Sequence, residues 1–146
     1  MPIQIDPTTL LDDDLDPLVL DADADGHRFM RRLRDDWVSR GNRFDRPGEK
    51  LLTARIDGRL VGLGGLNIDP FAQAARVGRL RHLYVARDAR RLGIGGALVR
   101  HILAAAPLHF SIVRLRTDSP DAAAFYVHLG FQPTDEAGAT HVLPLG

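Results

Sequence analysis

The sequence contains no cysteine, and this absence excludes several kinds of site together. A disulfide, a thiolate metal centre and a cysteine nucleophile are all ruled out. Apolar runs long enough to cross a bilayer are also missing, and residues 1–16 lack the basic and then apolar order of a secretion signal. We therefore expect a cytoplasmic protein that does not associate with a membrane.

Linkers, internal repeats and low-complexity tracts are equally missing from the 146 residues. A chain of this length can bury a sizeable hydrophobic core as one folded unit. The six histidines show no spacing typical of metal ligands, so we expect no metal site. We expect residues 1–146 to form a single domain.

The net charge is zero, but the charges are unevenly distributed. The first 25 residues carry eight aspartates and no basic residue, whereas the other 121 carry all 19 basic groups and 11 acidic ones. The excess of arginine between Arg76 and Arg91 suits an anionic ligand. The aspartates either attract a cationic amine, such as a polyamine or an aminoglycoside, or serve only as a solubilising segment. Aromatic residues are not interleaved with the basic ones, so nucleic acid is not an expected partner.

Turn signals and hydrophobic periodicity divide the chain into strands and helices. Helical segments are predicted at residues 9–19, 25–39, 95–106 and 119–129, the last with Ser119 as its N-cap and Pro120 in its first turn. Strands are predicted near residues 3–5, 51–56, 60–66, 77–85, 110–117, 131–133 and 140–143, with a tight hairpin at Asp57-Gly58. This order predicts a mixed α/β domain around one sheet.

The segment from Leu80 to Leu98 is the most informative part of the chain. An apolar strand ends at Val85, an arginine-rich turn follows, and a helix begins after two glycine sites, Gly93 and Gly95–Gly96. This order directs unpaired backbone N–H groups and a helix dipole at one point, which is a binding site for phosphate oxygens. The segment therefore predicts a phosphorylated ligand.

Two common phosphate-binding motifs fit this segment poorly. A P-loop requires Gly-Lys-Ser/Thr, but Gly96 is followed by Ala97 and Leu98. A dinucleotide fingerprint would place a third glycine at Leu98 and would follow its strand more closely. A nucleotide redox cofactor is therefore the weaker alternative.

A third motif fits better. Arg90-Arg91-Leu92-Gly93-Ile94-Gly95 matches the Gln/Arg-x-x-Gly-x-Gly/Ala pyrophosphate loop of the GCN5-related N-acetyltransferase (GNAT) family. Leu83-Tyr84-Val85 is similar to the end of that family's central cofactor strand, and residues 122–131, which end in Leu-Gly-Phe, are similar to its second signature. The chain resembles this family in detail over about residues 58–143. The resemblance implies a mixed, mainly antiparallel central sheet flanked by helices, with splayed central strands that bind coenzyme A.

The resemblance also implies acetyl-coenzyme A (acetyl-CoA) as the cofactor, and direct attack on it by a primary amine of a small molecule or a peptide. Backbone N–H groups near residues 83–85 are the expected oxyanion donors. Tyr126 occupies the position of the family's usual general acid, which protonates the leaving thiolate. The cofactor-binding residues implied are Leu83, Tyr84, Val85, Arg90, Arg91, Leu92, Gly93, Gly95, Gly96, Ala97, Ser119 (where the family usually has asparagine) and Tyr126.

The sequence does not identify the general base. Many relatives carry a glutamate where this chain has Arg79, and an arginine cannot accept a proton at neutral pH. His82, on the same strand, is the candidate base, because an unperturbed imidazole has a pKa of about 6.5. A water chain or an amine that is already neutral would serve equally well.

The acceptor is expected opposite the cofactor, with Asn67, Asp69, Arg114 and Arg116 as candidate contacts. The alternative function is a non-catalytic acetyl-CoA-binding sensor or partner domain of the same fold. Arg79 at the usual position of the base favours that alternative, and the retained Tyr126 argues against it. The sequence does not fix the oligomeric state, and a homodimer is one option.

Overall fold

A computed structural model describes residues 2–8, 11 and 15–146 of the protein. The strands are β1 (Gln4–Pro7), β2 (Lys50–Ile56), β3 (Arg59–Ile68), β4 (Val77–Val85), β5 (Ile112–Leu115), β6 (Gln132–Pro133) and β7 (His141–Pro144). The helices are α1 (Asp16–Ala24), α2 (Phe29–Ser39), α3 (Ile94–Ala104) and α4 (Pro120–His128). None of the described helices is both long and apolar enough to cross a membrane.

All seven strands belong to one sheet in the order β1-β2-β3-β4-β5-β7-β6. Every neighbouring pair is antiparallel except β4 and β5, which run parallel. The predicted hairpin between β2 and β3 is present, with Asp57 at φ 51° and Gly58 at φ 81°. Two successive positive φ angles match the twist of antiparallel strands, which explains the Asp-Gly pair. The mixed, mainly antiparallel sheet is therefore confirmed.

Two adjacent glycines of β3 show what covers each face of the sheet. A Cβ at Gly64 would lie 3.0 Å from Ile102 of α3, whereas a Cβ at Gly65 would lie 2.4 Å from the ring of Phe44, which follows α2. Successive residues of a strand project to opposite faces. Helix α3 therefore packs on one face, and the segment that follows α2 packs on the other.

The helices before β2 differ from the prediction. The helical segment expected at residues 9–19 is observed as α1, Asp16–Ala24, and residues 9, 10 and 12–14 lie outside the described part. The helix expected from about residue 25 begins at Phe29, because Gly26 turns the chain with φ 84° between α1 and α2. The strand expected at residues 110–117 is shorter, Ile112–Leu115.

The aspartates of α1 and the residue that follows it face arginines of the same molecule. Asp23 pairs with Arg31 at 2.7 Å, and Asp25 pairs with Arg90 at 2.7 Å. Asp16 is likewise paired with Arg34. Acidic α1 and basic α2 therefore neutralise each other, and these aspartates do not form a free anionic surface for a cationic amine.

Candidate active site

Strands β4 and β5 separate after a short parallel contact. Their register pairs join residues 77–79 of β4 to residues 112–114 of β5. The remaining six residues of β4, up to Val85, have no β5 partner in the described chain. A cavity of about 1140 Å³ opens at this separation, bounded also by the start of α2, the residues before α3 and the start of α4.

A β-bulge shapes the free part of β4. The pairing with β3 passes from Leu63–Tyr84 to Gly65–Arg81, so that two β4 residues, His82 and Leu83, face Gly64 alone. His82 has a left-handed backbone with φ 59°. An extra residue of this kind bends its strand and increases its twist. The bulge therefore lies within the part of β4 that has left β5.

The turn between β4 and α3 presents backbone N–H groups to the cavity. Gly93 is the N-cap of α3 at φ 79°, and the first helical hydrogen bond runs from the Ala97 N–H to the Gly93 carbonyl at 3.1 Å. The N–H groups of residues 94–96 precede that bond and have no helical acceptor, and all three residues line the cavity. The positive end of a helix dipole with free N–H groups is a site for an anion.

Arg90 makes several contacts at the end of β4. Its guanidinium donates to the Val85 carbonyl at 3.0 Å and to the Asp25 carboxylate at 2.7 Å, and it lies over the Tyr84 ring at 5.3 Å. The Tyr84 hydroxyl donates to Asp21 at 2.5 Å. Burial, together with this bond, raises the pKa of Tyr84. Both side chains therefore tie β4 to α1 and the residue after it.

Tyr126 brings a phenol to the cavity from α4. Its ring packs edge-on against Phe125 at 5.1 Å and Phe131 at 5.6 Å, and the side chain lines the cavity. Burial raises its pKa above the ordinary value of a phenol. Its hydroxyl has no hydrogen-bond partner among the residues that the structure describes. A protonated phenol without a partner can donate to a ligand atom in the cavity.

His82 lines the cavity, but its ring nitrogens are buried. Its ring lies between Phe29, at 6.4 Å, and Phe44, at 6.1 Å. Burial and the charge of Arg81 lower its pKa to about 3, and the nearby backbone of Phe29 opposes this only in part. Both ring nitrogens are buried, and neither completes a hydrogen bond within the described chain.

A buried ionic network occupies the far end of β4. Arg79 and Arg114 share the Asp69 carboxylate at 3.3 and 2.9 Å. Arg79 also donates to the Gly138 carbonyl at 2.8 Å. Burial lowers the pKa of Arg79 despite Asp69, and an ion-paired arginine cannot act as a base.

A sequence model of the acetyltransferase (GNAT) family matches residues 11–131. The chain belongs to the GNAT family. A structure from Exiguobacterium sp. 255-15, classed as an acetyltransferase, has 29% identity and a TM-score of 0.88 over 99% of this chain and 94% of that one. A GNAT-family acetyltransferase from Staphylococcus aureus Mu50 has 17% identity and a TM-score of 0.76, covering 99% of this chain and 100% of that one.

A third structure shares the GNAT fold at lower similarity. It is a GNAT-family N-acetyltransferase from Escherichia coli in complex with CoA, with 18% identity and a TM-score of 0.73 over 99% of this chain and 82% of that chain. No significant match was found among curated proteins.

The cavity of this GNAT protein brings together most of the residues that the sequence predicts. Those that line it are His82, Leu83, Tyr84, Val85, Arg90, Arg91, Gly93, Gly95, Gly96, Ser119 and Tyr126. Leu92 is 55% exposed and lies outside the lining, as does Ala97, whose N–H is used inside α3. The Ser119 hydroxyl accepts from the Ala122 N–H at 3.2 Å and so caps α4.

The predicted acceptor contacts of this GNAT protein are mostly elsewhere. Arg116 lines the cavity, but Asp69 and Arg114 belong to the buried network, and Asn67 is hydrogen-bonded to Asn42 and Glu49. Sequence reasoning missed the cavity residues Phe29, Arg32, Phe71 and Arg81. Only Arg81 gave a signal, as part of the arginine excess between residues 76 and 91.

Proposed function

We propose that the protein is an acetyl-CoA-dependent N-acetyltransferase whose acceptor is a primary amine of a small molecule or a peptide. We also propose that residues 1–146 act as one catalytic domain. The observation that carries the proposal is that one cavity is lined by the α3 N-terminus, the free part of β4 and the Tyr126 phenol. These three features supply an anion site, unpaired strand backbone and a proton donor.

The residues present suit a coenzyme A molecule. A pyrophosphate would suit the free N–H groups of residues 94–96 and the charge of Arg91, which has no ion pair in the described chain. Amide groups of an extended ligand would suit the β4 backbone that β5 leaves unpaired. The CoA complex of the E. coli relative, which shares the fold, supports this assignment. Acetyl-CoA would supply an acetyl group activated as a thioester.

Glycine is favoured at positions 93 and 95 of this anion site for two different reasons. A Cβ on Gly93 would meet nothing within 4 Å, so glycine is favoured there only by its backbone at φ 79°, where another residue would be strained. A Cβ on Gly95 would lie 3.3 Å from Phe125 of α4. Gly95 therefore allows α3 to approach the helix that carries Tyr126.

We assign the role of general acid to Tyr126. The amine nitrogen bonds to the acetyl carbon, the carbon–sulfur bond breaks, and the Tyr126 proton passes to the sulfur that leaves. Burial raises the pKa of Tyr126, so the phenol carries its proton at neutral pH.

We propose that the amine gives its proton to water rather than to His82. A pKa of about 3 makes His82 a weak base, and its buried ring nitrogens are not accessible to an acceptor. Arg79 cannot replace it, because its guanidinium is held by Asp69. His82 then serves as part of the cavity wall.

Thiol release from acetyl-CoA, measured over a panel of amines, tests the proposal. Tyr126→Phe should lower turnover about 100-fold, while acetyl-CoA affinity by calorimetry and the thermal midpoint stay close to those of the parent. Unchanged turnover in this variant would remove Tyr126 from the mechanism.

A non-catalytic acetyl-CoA-binding domain is the second candidate. The observation that favours it is the lack of an accessible side-chain base on β4, where Arg79 is ion-paired and His82 is enclosed. Acetyl-CoA binding without thiol release on any class of amine would favour this candidate over the enzyme.

A further inference from the structure

Five arginines of the cavity wall make no ion pair in the described chain, and two of them, Arg32 and Arg81, lie near enough for the charge of one to act on the other. Arg32 lies on α2 and Arg81 lies on β4, and both line the cavity. Neither makes an ion pair or a side-chain hydrogen bond with any residue that the structure describes. We refer to Arg32 and Arg81 as the arginine pair.

Several arginines on the same helix and the same strand as the arginine pair do have carboxylate partners. On the same helix, Arg31 and Arg34 each pair with an aspartate of α1. On the same strand, Arg79 pairs with Asp69. Arg31, Arg34 and Arg79 thus each have a carboxylate within ion-pair distance, whereas Arg32 and Arg81 have none in the described chain.

The two guanidinium groups also act on each other. Arg81 is half-buried, and its pKa is lowered first by burial and then by the positive charge of Arg32. Asp36 is the leading opposing charge, and it acts from beyond ion-pair distance. The other two carboxylates that act on Arg81, Asp69 and Glu49, are already bound by other groups. Asp25, Asp118 and Asp121 also line the cavity, but none of them pairs with Arg32 or Arg81. Two like charges without a paired carboxylate are costly unless a ligand supplies the negative charge.

This anion site is separate from the one at the start of α3. Arg81 lies four residues before Val85, which is roughly 13 Å along an extended strand. The free N–H groups of residues 94–96 lie beyond Val85, and α3 covers the face of the sheet opposite Phe44, which contacts His82. A pyrophosphate held at α3 therefore leaves the arginine pair free for a second molecule.

We propose that the arginine pair binds a carboxylate or phosphate group of the acceptor, so that the substrate is an amine that also carries an anionic group. The inference rests on the proposed function, because it specifies the amine for that same cavity. Guanidinium groups bind both kinds of oxyanion through paired, charge-assisted hydrogen bonds. A site of this kind discriminates strongly against a ligand that leaves its polar groups unpaired. Polyamines and aminoglycosides are accordingly excluded as preferred acceptors.

Matched pairs of amines test the inference by binding as well as by turnover. The probes are L-phenylalanine with L-phenylalaninamide, O-phosphoethanolamine with ethanolamine, and spermidine as a purely cationic amine. Calorimetry on the CoA-loaded protein should show at least tenfold tighter binding of the anionic member in one of the two pairs. The pair that responds distinguishes a carboxylate acceptor from a phosphate acceptor.

Variants then assign the preference to the arginine pair. Arg81→Gln and Arg32→Gln should each weaken binding of the anionic probe at least tenfold and leave the affinities for its neutral partner and for CoA unchanged. Arg32 lies on the exposed side of α2, so its variant tests the site even if Arg81→Gln unfolds. Arg76→Gln removes an exposed arginine just before β4, outside the cavity, and should change none of these affinities.

The possible outcomes separate this inference from the proposed function. Equal affinity within both pairs, tighter binding of spermidine, or an equal loss for both members of a pair in Arg81→Gln and Arg32→Gln would overturn the inference. Thiol release with the same kcat/KM for the anionic and the neutral member of both pairs would keep the enzyme and reject the anion site. An anion preference without any thiol release would keep the site and reject the enzyme.

Discussion

At the scale of single residues, His82 combines a left-handed backbone with complete enclosure of its ring nitrogens. Each of these features costs free energy. Both follow from the bulge, because an extra residue in β4 turns the imidazole between Phe29 and Phe44. The sequence predicts that His82 lies on a strand, but it does not predict that the imidazole is buried. The rings that bury it, Phe29 and Phe44, come from distant parts of the chain.

The depressed pKa of His82 predicts a loss of stability in acid. In the folded protein the pKa is about 3, whereas the ordinary value is 6.5, so below pH 6.5 only the unfolded chain takes up this proton. From pH 7.5 to pH 5, the unfolding free energy should fall by about 2 kcal/mol more in the parent than in His82→Asn. Asparagine is the matched replacement, because it tolerates the left-handed backbone and does not titrate. Urea unfolding at both pH values measures the difference, and parallel curves would contradict the buried imidazole.

Other site residues were predictable because their signals are local. The Ser119-Pro120 cap is confirmed by the bond from the Ala122 N–H to the Ser119 hydroxyl at 3.2 Å. Gly93 and Tyr126 line the cavity, and both lie within short motifs. The arginine pair was not predictable, because it depends on how α2 sits against a strand about fifty residues away in the sequence.

At the scale of secondary-structure elements, Asp69 connects the loop after β3 to both β4 and β5. It is 3% exposed, and Arg79 and Arg114 reach it from 10 and 45 residues away in the sequence. An Asp-Pro pair between two strands predicts an exposed loop. The sequence gives no sign of the two arginines that enclose it.

Removing the charge of Asp69 should destabilise the protein strongly. Asp69→Asn leaves two buried guanidinium groups without their shared carboxylate, and we expect a loss of about 3–5 kcal/mol in unfolding free energy. Glu136→Gln is the control, because Glu136 contacts Arg114 at 3.3 Å but is 53% exposed. Its loss should stay within about 1 kcal/mol. Urea unfolding of both variants makes the comparison, and similar losses would show that the network is not a buried one.

At the scale of the whole molecule, the excess of acid at one end of the sequence is balanced by folding. The chain returns α2 and Arg90 to the aspartates of α1 and the residue after it. Composition showed the imbalance but not its partners, because ion pairing depends on which helices meet. The charge left unbalanced in the cavity is positive, which is opposite to what an acid-rich N-terminus suggests.

Coenzyme A should stabilise the whole fold. At a free concentration of 100 times Kd, a ligand bound only by the folded protein adds about 2.7 kcal/mol to the unfolding free energy. The same addition should slow amide hydrogen exchange in residues 80–85, which have no β5 neighbour in the described chain. Amides of β2, paired on both sides, report the stabilisation of the whole fold, and the protection gained in residues 80–85 is compared with theirs. Stabilisation without slower exchange in residues 80–85 would place the ligand outside the separation between β4 and β5.

The early separation of β4 from β5 also divides the sheet into two parts that are joined by few hydrogen-bonded residues. Strands β1–β4 form one part and strands β5–β7 form another, and within the described residues three register pairs join the two parts. The cavity is lined by both parts of the sheet, with β4 on one side and Leu115 and α4 on the other. A molecule bound there would contact both parts of the sheet. Its binding would therefore also bring Tyr126 into position against β4.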